Sequence, residues 1–272
     1  MKNFVAIRAK SKKSVNGQIL SLKPGDRSVA VDKTKFDPNK HTFRLDTSYD
    51  NIKLGKMASW STVYGTKPIF VKRMNGYVVG TCGQECGKKG ACEEVCYVDK
   101  SYWKPDVVFG HARNTIGLRQ TPEKVFKDLD QQLTRSKTIT TVRLNQSGEL
   151  ESTEEFLRWC LFAKRHPNVK FFIYTKQYKY VETPLLDGLV PKNFRINYSI
   201  FKKHGVVEFN KVKHLENVSC FEYDDGKGVE IPIAKKDYCP AYMDGKLNHD
   251  IPCNVCRKCI DRNVKCIGCK SH

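Results

Sequence analysis

The side chains with the most chemistry to offer are the cysteines, twelve in all. Cys82, Cys86, Cys92 and Cys96 form one group, with three, five and three residues between neighbours. Cys239, Cys253, Cys256, Cys259, Cys266 and Cys269 form a second, with two residues between Cys253 and Cys256, Cys256 and Cys259, and Cys266 and Cys269. Thiols this close converge on one metal ion or cluster more readily than they find distant disulfide partners. The even count keeps a disulfide-stapled chain as the alternative. In the first group Gly83, Gly87 and Gly90 let the backbone fold tightly, and Lys88 and Lys89 favour thiolate, the form that ligates. Three sulfurs on a loop can hold an iron–sulfur cluster with one iron open, whereas four would close a zinc site. In the second group, the run Cys253, Cys256, Cys259 with a remote Cys239-Pro240 has the spacing of a cubane 4Fe–4S site. Cys253 and Cys256 with Cys266 and Cys269 make an equally good zinc ribbon, so iron and zinc stand near parity on spacing alone. His249 and His272 are available as substitute ligands, or are simply surface histidines. Cys160 and Cys220 stand alone and read as small buried hydrophobes.

The elements that must position these groups are clearest in the middle of the chain. Thr121 and Pro122 open a helix whose Val125, Phe126, Leu129 and Leu133 recur on one face. Ile139 to Leu144 reads as a strand. Ser152 with Glu155 makes a capping box for a helix carrying Phe156, Leu157, Cys160, Leu161 and Ala163, which Pro167 ends. Val169 to Thr175 is a strand, and Phe194 to Phe201 and Val218 to Tyr223 are two more, separated by a short helix around Val206 to Val212. Repeated βα units predict an α/β fold with a mainly parallel sheet, part of a barrel being one form of it, and functional loops at the carboxyl ends of the strands. Residues 1–60 are a basic, β-rich segment, as in Val5, Ile7, Ala9 and again Ser28 to Asp32. Residues 61–238 are the α/β core with the cysteine loop at 82–96. Residues 239–272 are a cysteine-rich metal-binding tail, too poor in apolar residues to fold without metal or bridges.

Lys plus Arg number 48 against 29 Asp plus Glu, a net charge of +19, and residues 1–60 alone carry 13 basic and 5 acidic side chains. Such an excess attracts phosphates, and nucleic acid, DNA or RNA alike, is the expected partner. Aromatics interleave with the lysines: Tyr97, Tyr102, Trp103 and Lys104 after the cysteine loop, and Tyr174, Lys176, Tyr178, Lys179 and Tyr180 after a strand end. Rings of this kind stack on bases while lysines meet phosphates, or half of each set faces the core. Lys176, Lys179, Tyr178, Trp103 and Lys104 are the candidate contacts. A host protein docked on the aromatic surface is the alternative partner. The longest apolar stretches, such as Phe171 to Tyr174, fall far short of the roughly 20 residues that cross a bilayer. The N-terminus has no signal-peptide core, so a cytoplasmic location without membrane attachment is expected. His111, His166, His204 and His214 have no evident nucleophile or carboxylate partner, and hydrolytic chemistry finds no support.

Several landmarks occur in order: Asn51 to Lys56, the cysteine loop ending in Cys96-Tyr97, Arg113-Asn114, and Arg143 followed by Ser147-Gly148-Glu149. Phe171 to Lys176, Cys239-Pro240 and Cys253-x-x-Cys256-x-x-Cys259 complete the series. Together they resemble the phage protein family named after mycobacteriophage gene product eighty-eight, over roughly residues 51–260. That family pattern has an aspartate where this chain has Glu149, and Cys86 is an additional cysteine. The resemblance implies a phage origin, and with it a host-cell cytoplasm, but no reaction. A cysteine loop after an early strand, then a glycine-acidic turn after the next, also resembles a shortened radical S-adenosylmethionine fold. That second resemblance implies that Cys92 and Cys96, with Cys82 or Cys86, hold a 4Fe–4S cluster. In it Glu149 faces the amino group of an S-adenosylmethionine cosubstrate. The loop's spacing is not the three-then-two pattern of those enzymes. A zinc-stapled protein that binds nucleic acid or a host protein without catalysis is the competing expectation.

Overall fold

β-branched and aromatic runs become strands and amphipathic runs become helices, in the following chain order. The first five strands are β1 (Val5–Ile7), β2 (Ile19–Ser21), β3 (Ala58–Ser59), β4 (Pro68–Val71) and β5 (Gly76–Val79). Helices α1 (Pro105–Gln120) and α2 (Pro122–Arg135) precede β6 (Thr141–Leu144), α3 (Thr153–Arg165), β7 (Lys170–Thr175) and α4 (Tyr178–Leu186). The chain then forms β8 (Phe194–Phe201), α5 (Val206–Val212), β9 (Val218–Asp224), the single turn α6 (Cys253–Cys256) and β10 (Cys266–Lys270). The computed structural model describes residues 5–7, 19–21, 34–47, 54–55, 57–83, 92, 96, 98, 102, 104–201, 203–224, 228–240, 251–261 and 264–270. Cys86, Trp103, His249, His272 and the segment Ser28 to Asp32 lie outside the described residues.

Two compact units divide the chain. The first contains residues 1–44, 61–132 and 147–151, and the second residues 45–60, 133–146 and 152–272. In the first, β1, β2, β4 and β5 make an antiparallel sheet in that order. Its core packs Val63, Tyr64, Ile69, Val71, Met74 and Val78 against Tyr102, Val108, Ala112 and Ile116, with Cys82 and Cys96 at its margin.

In the second unit six parallel strands lie in the order β3-β6-β7-β8-β9-β10, the order of the sequence itself. Right-handed crossovers without a reversal of direction put α3, α4 and α5 on one face of the sheet. The packing agrees. Trp159 of α3 meets Trp60, Phe162 meets Phe171, and Tyr178 of α4 and Phe209 of α5 both meet Tyr198. Ser152 caps α3 by accepting from the Glu155 backbone N–H at 3.1 Å, as the capping box requires. Within that helix Trp159 and Phe162 complete the apolar face, whereas Leu161, expected on it, is 58% exposed. Parallel strands keep register partners on one side, so the opposite face carries Arg143, Phe172 and Arg195 in one row and Tyr174, Asn197 and Ser219 in the next. The tail from Cys239 does not stand apart from this core. Its strand β10 pairs with β9 and buries Ile267 and Cys269 completely or nearly so.

Candidate metal centres

The first candidate site is assembled in the first unit by a threonine rather than by a cysteine. Thr81, immediately before Cys82, uses its hydroxyl to donate to the Val63 carbonyl at 3.1 Å and to accept from the Glu149 backbone N–H at 2.8 Å. The Thr62 hydroxyl lies 2.9 Å away from it. Thr62 N–H donates to the Ser147 carbonyl, and the Ser147 hydroxyl donates back to the Thr62 carbonyl. The Ser147-Gly148-Glu149 turn is thereby fixed beside the start of the cysteine loop. Gly148 has φ +78°, and a Cβ placed there would sit 2.0 Å from Thr62 Oγ1 and 2.5 Å from Thr81 Oγ1, so only glycine fits. Glu149 is buried, 5% exposed.

Tyr102 is the second organiser. Its hydroxyl accepts from the Tyr64 N–H at 3.2 Å and lies 3.0 Å from His111 Nδ1. Burial, with the neighbouring Cys82 and Cys96 thiols, pushes this phenol above its ordinary range. Tyr102 belongs to the core and is not a stacking surface for bases. The Cys82 sulfur also accepts from the Gly65 N–H at 3.1 Å. Thus Cys82, Cys96, Glu149, Tyr102 and His111 share one neighbourhood, and Cys92 is half-buried on the same loop. Asn114 donates to the Ser61 carbonyl at 2.9 Å, and His111 accepts from Thr115 through its carbonyl, so part of the Arg113-Asn114 segment serves the backbone.

The second candidate site lies on the face of the parallel sheet opposite α3, α4 and α5. Cys253 and Cys256 share the turn of α6, and Arg257, at φ +58°, bends the chain so that Cys259 follows. Cys253, Cys239 and Cys256 are close enough to act electrostatically on Cys259, whose thiol is pushed up to about 12, chiefly by burial. Cys259 packs against the cluster of Cys239, Ile267 and Cys269, and with Cys253 and Tyr174 it also packs against Leu54, Met57, Phe172 and Ile260. Buried polar side chains anchor this loop. Arg195 donates through Nε to Ser219 Oγ at 3.2 Å, Ser219 donates to Asn197 Oδ1 at 2.6 Å, and Asn197 Nδ2 donates to the carbonyls of Ile173 and Cys259. Arg257 and Lys170 both bond Asp261, and Lys258 reaches the Tyr238 carbonyl.

Cys266 does not join this group. A separation of three residues in a strand puts two side chains on opposite faces, so Cys269 points toward Cys239 and Cys259 while Cys266 points the other way. There it forms a disulfide with its register partner Cys220. Cys220 is therefore a bridged residue, not the unpaired hydrophobe expected, and the zinc ribbon from Cys253, Cys256, Cys266 and Cys269 has no geometric basis. Cys160 does behave as a small core residue, with burial pushing its thiol up to about 12. Among the described residues no three His, Cys, Asp or Glu side chains converge closely enough to hold a metal ion.

Of the basic and aromatic candidates, Tyr178 turns inward, stacking on Tyr198 and donating to the Ser199 carbonyl at 2.5 Å. Lys179 is exposed, 4.7 Å from the Tyr180 ring, Lys176 is half-buried, and Lys104 is exposed just before α1. The residues that sequence reasoning missed are Thr62, Thr81 and the Arg195–Ser219–Asn197 chain. Arg195 and Asn197 did leave a signal, since they interrupt the apolar run Phe194, Ile196, Tyr198 at every second position. No helix is long and apolar enough to cross a membrane among the described residues.

The protein family described as Gene product 88 matches this chain over residues 39–269. No curated protein and no solved structure matches it.

Proposed function

The chain belongs to the Gene product 88 family of phage proteins, and we propose that it is an iron–sulfur protein of radical S-adenosylmethionine type that works on or beside nucleic acid. The observation that carries this reading is the Thr81 hydroxyl, which ties the residue before Cys82 to the backbone of Glu149. A cysteine loop and a glycine-acidic turn held side by side are what cluster and cosubstrate need. The sequential parallel order of the second unit's six strands supports the same reading.

Cys92, Cys96 and Cys82, with Cys86 as the alternative to Cys82, would hold a 4Fe–4S cluster with one iron open. Thiolates are the donors such a cluster takes, and Tyr102 and the Gly65 N–H lie against the Cys82 sulfur, whereas among the described residues no three such side chains stand together around one ion. Such a cluster, when bound and reduced, supplies an electron to S-adenosylmethionine. The chain's own part is to fix the loop through Thr81, to exclude water through the Tyr64–Tyr102 core, and to present the Glu149 carboxylate to an ammonium group. The net charge of +19 supports a polyanionic partner, with Lys104, Lys176 and Lys179 as its contacts. The test is cleavage of S-adenosylmethionine by anaerobic protein with dithionite. Turnover by the parent and its loss in Cys92→Ala, with a weakened response in Glu149→Gln, is the expected pattern. A colourless, zinc-loaded protein that binds nucleic acid would replace it with a purely structural metal role.

A further inference from the structure

We propose that the carboxyl ends of β6 and β7 form a nucleotide site, in which Asn145 pairs with the edge of a nucleobase and Gln177, at the start of α4, holds the phosphate. The site uses no metal and goes beyond the reading above. Register pairs Leu144 with Ile173, so the chain leaves both strands at the same edge of the sheet, the edge where parallel α/β folds bind ligands. Asn145 is 5% exposed, yet neither its Oδ1 nor its Nδ2 has a hydrogen-bond partner among the described residues. Gln177 is 3% exposed, and its Nε2 is equally unpartnered there. Burying unpaired polar atoms is unfavourable, and three gathered at one sheet edge are accounted for by a ligand that bonds them. The backbones of both residues are fixed while these atoms stay uncommitted. Trp60 N–H donates to the Arg143 carbonyl at 2.9 Å and Gln146 N–H donates to the Trp60 carbonyl at 3.2 Å, which brackets Asn145 at φ +48°. Gln177 N–H donates to Thr175 Oγ1 at 2.9 Å, and although Gln177 is the N-cap of α4 its side chain makes no cap bond. A carboxamide such as that of Asn145 offers a donor beside an acceptor, the pattern that pairs bidentately with a nucleobase edge. The Gln177 donor lies instead at the positive end of α4, flanked in sequence by half-buried Lys176 and exposed Lys179, a setting that attracts phosphate. A nucleotide, free or within a strand, carries both groups.

The experiment is calorimetric titration of the full chain with the common ribonucleoside monophosphates, with inorganic phosphate and with a short single-stranded oligonucleotide. Binding of a monophosphate identifies a free nucleotide as the ligand, and binding of the oligonucleotide alone identifies a base within a strand. Asn145→Gly suits the left-handed backbone and removes the carboxamide, and Gln177→Met keeps the length of the side chain and removes the donor. Each is expected to weaken the bound nucleotide about tenfold or more. Each is also expected to melt at or above the parent's temperature, since it removes unpaired buried atoms. Equal affinity in the variants overturns the proposal, as does a parent that binds neither form of nucleotide. A fall in melting temperature in either variant shows that its amide serves the fold, and overturns it too. Inorganic phosphate that binds as tightly as the nucleotide leaves an anion site without base recognition, which is a further refutation. An oligonucleotide held alike by parent and variants removes this site but leaves the nucleic-acid reading standing, and a monophosphate bound where the oligonucleotide is not does the reverse.

Discussion

Replacing Gly148 by Ala tests the junction between Thr62, Thr81 and the Ser147-Gly148-Glu149 turn at its tightest point. The backbone there has φ +78°, which costs a non-glycine residue about 1–2 kcal/mol. The new Cβ would start 2.0 Å from Thr62 Oγ1 and 2.5 Å from Thr81 Oγ1, so at least one of the hydroxyl bonds must break, at about 1 kcal/mol. The sum, about 2–3 kcal/mol, corresponds to a fall in melting temperature of roughly 4–12 °C for a chain of this size. Because Thr81 adjoins Cys82, the same displacement is expected to lower iron occupancy. Scanning calorimetry and iron analysis on anaerobic protein measure both effects, and Thr62→Ala in the same chain, by opening space for the methyl, should return part of the loss. A Gly148→Ala variant that melts and binds iron like the parent would show that the turn is not held as described.

Removing the Cys220–Cys266 bridge by Cys266→Ser opens a connection spanning 46 residues and should cost about 4 kcal/mol of stability with iron content unchanged; iron lost along with the bridge would return Cys266 to the ligands. For Lys176→Ala with Lys179→Ala, nucleic-acid affinity should fall and the slope of log affinity against log salt should lessen by about 1.8, the value for two phosphate contacts. Equal binding and slope would place the interface elsewhere. Burial pushes the Asp261 carboxyl up, but Lys170 and Arg257 outweigh it and hold it below its ordinary value. A lowered folded value gives stability that is present above the unfolded value near ~3.9 and lost as pH falls through the folded one. Acid titration of melting temperature should therefore show a loss below about pH 4 that Asp261→Asn abolishes, and identical acid profiles would contradict the pairing.

The sequence made the second unit legible because its elements are locally consistent. Ser152, Glu155 and Pro167 mark α3, and the β-branched and aromatic runs give β7, β8 and β9 within a residue or so. What escaped were elements whose local signals conflict with their state. Helix α1 buries Asn114, Thr115 and Gly117 along with Ile116, so it presents no clean apolar face. Helix α4 contains Pro184, a residue that ordinarily ends helices, and begins at Tyr178, whose polar hydroxyl suggested a surface role that tertiary packing reversed. The candidate sites were legible as cysteine spacing but not as partners. Spacing alone could not show that Cys266 and Cys269 occupy opposite faces of one strand, which depends on β10 joining the sheet, a long-range pairing with β9. Nor could it select Thr81, whose role comes from a contact with a residue 68 positions distant.

The central claim, that the N-terminal cysteine group holds an iron–sulfur centre, is tested most directly by counting iron, inorganic sulfide and zinc in the anaerobically isolated full chain. The account predicts one iron- and sulfide-containing centre, lost in Cys92→Ala with Cys96→Ala together with its electron paramagnetic resonance signal. Stoichiometric zinc without sulfide, or thiols that titrate freely with no metal bound, would contradict it.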